Sequence, residues 1–160
     1  MKSGCEEVTN LNASRYNWYI SADNIFKGKV KGLEDFSQIF VAEFNITKSS
    51  PSERSSNPVM VMKGVKIYMP SGIHCAMIQG RLAKSIVIPK IILKRTSVIN
   101  GKVEIIDEIN FLQCIVVLFA IIGDAVSFCF QYASMSYTHT ALRPDGNRAG
   151  QAMAELKPRD

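Results

Sequence analysis

A single amphipathic helix pattern, set among segments that read as strands, restricts this chain more than any other feature. It lies in the stretch MPSGIHCAMIQGRLAKSIVIPKIILKRTSVING, residues 69–101. Pro70-Ser71-Gly72 reads as a helix start with Ser71 as the N-cap, its hydroxyl placed to accept from the first free N–H groups. Ile73, Ala76, Met77 and Gly80 follow at three- and four-residue steps and make one narrow apolar stripe. Lys84 falls in the last turn, where a cation suits the negative end of the helix dipole. The expected helix therefore runs from about Ser71 to Lys84. Residues 86–93 are rich in β-branched side chains and too few for a second helix, and they lead into Lys94-Arg95-Thr96-Ser97.

Strand patterns account for most of the rest. Tyr16, Trp18 and Ile20 alternate with Asn17 and Tyr19, the period-two signal of a half-buried strand. Asp23-Asn24 reads as a turn, and residues 25–30 as a second short strand broken by glycine. Residues 36–46 fit both periods, and their β-rich surroundings favour strand. Val59, Val61, Val65, Ile67 and Met69 alternate around Lys63-Gly64. Pro89 removes one ladder donor and suits an edge or a bulge. Asn100-Gly101 is the strongest hairpin signal, since both residues tolerate the positive φ of a two-residue turn, with residues 102–106 as the return arm. Residues 111–122 form a nearly unbroken apolar run, expected as a strand buried on both faces. After a turn at Gly123-Asp124, Val126, Phe128, Phe130 and Tyr132 alternate with Ser127, Cys129 and Gln131. Past Ala133 the apolar phase moves to Met135 and Tyr137, which predicts a bulge or a strand passing from one surface to another. Eight or so strands and one helix imply a closed or nearly closed barrel, because closure removes exposed edges.

At 160 residues the chain reads as one domain with a core of its own. Residues 1–14 read as a loose polar segment and residues 139–160 as a polar tail that turns at Pro144-Asp145-Gly146. The clearest loop is TKSSPSERSSNP, residues 47–58, whose serines and prolines cannot build a core face. Loops of this length in compact domains are often functional. The net charge of +5 is spread along the chain, so it points to a solvated basic surface more than to nucleic acid. Cys5, Cys75, Cys114 and Cys129 show no CxxC pair and no histidine at zinc spacing, so no metal site is expected; the last three read as buried thiols. The longest apolar run, residues 114–122, falls far short of the roughly 20 needed to span a bilayer. The N-terminal region lacks a continuous apolar h-region, so neither membrane insertion nor a cleaved leader is expected.

No catalytic constellation is read from the residues. His74 and Cys75 are neighbours on the expected helix, where adjacent side chains point about 100° apart. His139, near Tyr137 and Thr140, is expected to face solvent, and Glu104, Asp107 and Glu108 read as charged residues bounding a turn. Phosphate loops, zinc-protease helices and nucleophile elbows are absent from the sequence. The expectation is no enzyme and no cofactor.

The helix–strand unit resembles that of the haemolysin-coregulated proteins (Hcp), tube subunits of bacterial type VI secretion systems. The matching residues are Gly64 to Met69, then the helix with Gly80, then PKIILKRTS, in which Arg95, Thr96 and Ser97 are the most telling. Val126-Ser127-Phe128-Cys129-Phe130, Tyr137-Thr138 and the closing PDGNRAG follow in the family's order. Two departures are Met135-Ser136, near the place of the family's final-strand Trp, and the greasier strand at residues 114–122. The resemblance implies a distorted barrel of two sheets with one helix. It implies six copies closing head-to-tail into a ring that stacks into a tube, with sheath, spike and baseplate proteins as partners and effectors in the lumen. It further implies assembly in the bacterial cytoplasm and release through the injection machine. By the same analogy the extended loop reaches a neighbouring subunit, making Thr47, Lys48, Ser49, Ser50, Pro51, Ser52, Glu53, Arg54, Ser55 and Ser56 interface residues. Two other readings stand beside it. One is a tube subunit of a phage-tail-like injection particle. The other is a monomeric barrel that binds a small ligand or single-stranded nucleic acid through Tyr16, Trp18 and Tyr19 with Lys27, Lys29 and Lys31.

Overall fold

The hairpin at Asn100-Gly101 sets the frame of the molecule. In the computed structural model, which describes residues 16–48, 60–62 and 64–157, both turn residues have positive φ (52° and 76°) and Ile99 pairs with Lys102. That is a two-residue turn whose twist matches its strands. In chain order the described strands are β1 (Tyr16–Ala22), β2 (Ser37–Ile39), β3 (Val41–Glu43), β4 (Ile46–Lys48), β5 (Met60–Met62) and β6 (Val65–Pro70). After the helix α1 (His74–Ala83) come β7 (Ile88–Ile99), β8 (Lys102–Ile122), β9 (Ala125–Gln131), β10 (Ser134–Leu142) and β11 (Arg148–Leu156). All neighbouring strands run antiparallel.

β8 is one strand of 21 residues where the sequence suggested two. Its first half pairs with β7 and β10, and its second half, from Ile115, pairs with β9. Gln113, at φ 55°, marks the passage between the two halves. Opposite it stands Pro89: Ile88 pairs with Cys114 and Lys90 with Leu112, and the pair between them is skipped. Proline has no N–H to lose, so the ladder breaks there without an orphaned donor on β7. The phase shift past Ala133 has its counterpart here, because β9 and β10 lie on opposite halves of β8.

The strand order is β2-β1-β7-β8-β9-β6-β3, with β10 and β11 branching from β8. The two end strands are successive in sequence and separated only by Phe40, whose N–H donates to the Tyr68 carbonyl at 2.8 Å. The chain itself thus bridges the gap, and the expected barrel takes the form of two sheets joined through β8 with an open ladder between β2 and β3. Inside lie Ile20, Ile67, Met69, Leu93, Ile109, Phe111, Phe128 and Phe130, with Ile78 from α1. Phe111 meets Phe130 edge-on at 5.3 Å, a favoured aromatic geometry.

Several expectations are corrected. α1 starts at His74, and Ser71 gives it no cap hydrogen bond; the Ser71 hydroxyl lies 3.8 Å from Cys75 Sγ instead. α1 buries Ile78, with Cys75 and Leu82 against the core, while Ile73, Ala76 and Met77 of the expected stripe are exposed. The stripe depended on Ala76 and Gly80, which offer little area, and the opposite face carries the larger side chains. Residues 25–30 form no strand. Ile25 and Phe26 anchor a strap in the core, and Gly28 N–H donates to the Glu34 carbonyl at 2.9 Å. A Cβ at Gly28 would stand 1.9 Å from the Phe36 carbonyl oxygen, so only glycine fits that close approach.

The polar tail expected at residues 139–160 is instead the end of β10 and all of β11 through Leu156, paired across a turn at the expected Pro144-Asp145-Gly146. Backbone pairing, not side-chain hydrophobicity, makes this hairpin. Thr47 and Lys48, expected in the loop, stand in β4 and pair with Val61 and Met60. The rest of that loop, Ser49 to Ser56, and the segment 1–14 lie outside the described residues.

Candidate assembly surface and the Asp107 clamp

Arg95 belongs to one lateral row of the sheet, in which register pairs Ile39, Trp18, Arg95, Asp107, His139 and Ala152 in turn. The next rows inward hold Leu93 opposite Ile109, then Ile91 opposite Phe111. The row is therefore a polar band closing one end of the hydrophobic core. Asp107 is its centre, only 2% exposed. Arg95 Nε donates to Asp107 Oδ2, the Tyr137 hydroxyl donates to Oδ1 at 2.5 Å, and His139 Nδ1 reaches Oδ1 at 2.7 Å. An ionised carboxylate only accepts, so His139 carries its proton on Nδ1 here. The Arg95 guanidinium also lies 5.9 Å from the centre of the Trp18 ring. One carboxylate thus ties β7, β8 and β10 together, and Arg95 extends the tie to β1.

Burial by itself pushes the Asp107 carboxyl up. The hydrogen bonds from Tyr137 and His139 and the charge and hydrogen bond of Arg95 outweigh that, and its pKa lies below the ordinary value. Burial, then the hydrogen bond to Asp107 and its charge, push Tyr137 up to about 12 against the opposing charge of Arg95, so it remains a donor. Asp107 and Glu108, expected to bound a turn, lie within β8, and His139 points at Asp107 rather than serving only as a solvent-facing group. An Asp–His pair is half of a nucleophilic triad, but among the described residues no hydroxyl or thiol lies on the other His139 ring nitrogen. The contacts of Asp107 hold the strands together. Of the other motif residues, Thr96 is buried with its hydroxyl 3.4 Å from the Asn17 carbonyl, and Ser97 pairs with Tyr16 and Glu104.

Three features face outward. The first overturns the expectation that residues 111–122 are buried on both faces. Phe111, Cys114 and Val116 enter the core, whereas Leu112, Ile115, Val117, Leu118 and Ile122 are exposed. Contiguous exposed apolar side chains of this kind mark interaction surfaces on soluble proteins. The second is β11, exposed along nearly its whole length and, among the described strands, paired only with β10. Between its end charges, Arg148 and Glu155, it carries Ala149, Gly150, Ala152, Met153 and Ala154. Within its span it carries no proline or lysine, two of the residues that usually guard a free edge, and its register shifts only near its start, where Ala141 pairs with Gly150 and Leu142 with Arg148. The third is the two-stranded ladder of β4 and β5, which pairs with no other strand among the described residues. Alternation along β1 also separates Trp18, which faces Arg95, from Tyr19, so the expected aromatic stacking platform is split between two faces.

No protein-family model and no curated protein matches the sequence. Solved structures do match. One described as a type six secretion system protein superposes with a TM-score of 0.79 at 10% identity, covering 89% of this chain and 95% of that one. Hcp1 from Salmonella typhimurium matches with a TM-score of 0.73 at 12% identity over 89% of this chain and 95% of its own. The secreted protein Hcp3 from Pseudomonas aeruginosa gives 0.65 at 15% identity over 91% and 99%. At such identities the likeness is one of fold, and this chain has the mainly β, one-helix fold of the Hcp structures. No helix among the described residues is long and apolar enough to cross a membrane.

Proposed function

We propose that this chain is a structural subunit of a type VI secretion tube, in which six copies close into a ring and rings stack. The observation that carries the proposal is the fold likeness to secretion-system and Hcp structures over about nine-tenths of the chain. The monomer's surface supports it. A free strand edge and an apolar outer face are costly to leave in water, and a head-to-tail interface that joins unlike patches covers both. The β4–β5 arm, with Thr47 and Lys48 in β4, is then the element that reaches a neighbouring copy, and Ser49 to Ser56, which follow β4 in sequence, are proposed as interface residues with it. The Asp107 clamp fixes the relative positions of the strands that present these surfaces. On this reading the chain carries no catalytic group, its partners are its own copies with sheath, spike and baseplate proteins, and effectors occupy the lumen.

Secretion provides the test. An epitope-tagged copy expressed in a host with a working contractile sheath should accumulate in the medium, and deletion of the sheath gene should abolish that release without lowering the amount inside the cell. Release that is indifferent to the sheath contradicts the proposal.

A further inference from the structure

Tyr19, Lys27 and Lys29 belong to the aromatic and basic pattern read from the sequence. They line an open groove of about 510 Å³ between the strap, the β1–β2 edge and the turn leading into α1. Ile25, Phe36 and Met69 supply apolar walls, and Lys27 and Lys29 belong to the same lining. Lys27 is already paired with Asp35 at 2.9 Å, whereas Lys29 makes no salt bridge among the described residues. Tyr19 is only 6% exposed as a residue, and its hydroxyl, which makes no hydrogen bond among the described residues, keeps contact with solvent. Burial also raises the Tyr19 pKa, so the group stays protonated and able to donate.

We propose that this groove binds a small amphipathic anion, a carboxylate on a hydrocarbon or aromatic body, with Tyr19 donating to the headgroup, Lys29 neutralising it and the body lying against Ile25, Phe36 and Met69. The volume falls within the usual range for small-molecule sites, about 300–1,000 Å³. The unpaired lysine selects for negative charge, and the unpaired phenol selects for an acceptor. A nucleic-acid strand is the poorer occupant, because successive bases need successive stacking rings and Trp18 is engaged with Arg95 instead. The inference does not depend on the tube reading.

Titration of the full chain with octanoate, followed by amide chemical shifts, tests it. One saturable site is expected, with shifts confined to residue 19 and residues 25–38 and 69–74. The uncharged isostere 1-octanol, Tyr19→Phe and Lys29→Gln should each weaken binding about tenfold. Tyr19→Phe should also leave the thermal midpoint of the ligand-free protein unchanged, since no protein hydrogen bond is lost, which separates lost binding from lost folding. Equal affinity for octanoate and 1-octanol, wild-type binding by both variants, shifts centred on Leu118 and Ile122, or no saturable shift at about 10 mM octanoate would each overturn it.

Discussion

Asp107 shows how a residue can be misread when the sequence is taken at face value. Counting back from the Asn100-Gly101 turn, a regular ladder pairs Thr96 with Ile105 and would set Arg95 opposite Ile106. The register slips there, and Arg95 meets Asp107. A one-residue bulge moves a side chain to the other face, so an acid that looked like a turn marker becomes the buried centre of a clamp. Arg95 itself was legible as part of a motif; its partner was not, because nothing in the sequence flags the slip. Removing one member of a buried pair leaves the other uncompensated, so Asp107→Ala should destabilise the monomer by about 3 kcal/mol in urea unfolding. The pH dependence follows from the sign of the shift. The folded carboxyl titrates below the unfolded one, so its contribution is complete above about pH 4 and is lost as pH falls through the folded value. The stability gap between wild type and Asp107→Asn should therefore shrink on acidification, and a gap that stays constant would argue against the clamp. Cys114 is pushed up to about 12 by burial and hydrogen-bonds the Phe111 carbonyl at 3.3 Å, so it should resist thiol reagents until the chain unfolds.

Among elements, those with a local signal were legible and those made by pairing were not. The Asn-Gly turn, the alternation of Val126, Phe128 and Phe130 and the phase break after Ala133 are written in side chains, and the structure has all three. β11 is not, since a stretch such as RAGQAMAEL has no strand period; its conformation comes from backbone bonds to β10. The apolar run in β8 was legible as a strand but not as half-exposed, because a continuous apolar sequence is the same whether a second layer covers it or another subunit does. Gly101→Val forces a β-branched residue to φ near 76°, and should cost about 1–2 kcal/mol in equilibrium unfolding. Leu118→Glu places a charge on the exposed face and should leave the monomer's thermal midpoint within a few degrees while abolishing self-association by sedimentation. Deleting Ser49 to Ser56 should likewise spare the fold and weaken assembly; an unchanged oligomer would remove the arm from the interface.

Apart from the β4–β5 ladder, the described body is two sheets sharing one long strand, nearly closed by a chain that steps from β2 to β3 across a single residue. A mainly β body with one helix was readable from the patterns. The open ladder was not, since it depends on Phe40 bonding Tyr68 across the gap rather than on any repeat of side chains. What this architecture leaves outside, the β11 edge, the outer face of β8 and the β4–β5 arm, is what a ring would cover. Light scattering on the purified protein across a concentration series, with electron microscopy of the same fractions, measures that directly. The account predicts a species of six times the 17.8 kDa chain mass that appears as an annulus with a central hole. A strictly monomeric mass at every concentration, with no annulus in any fraction, would contradict it.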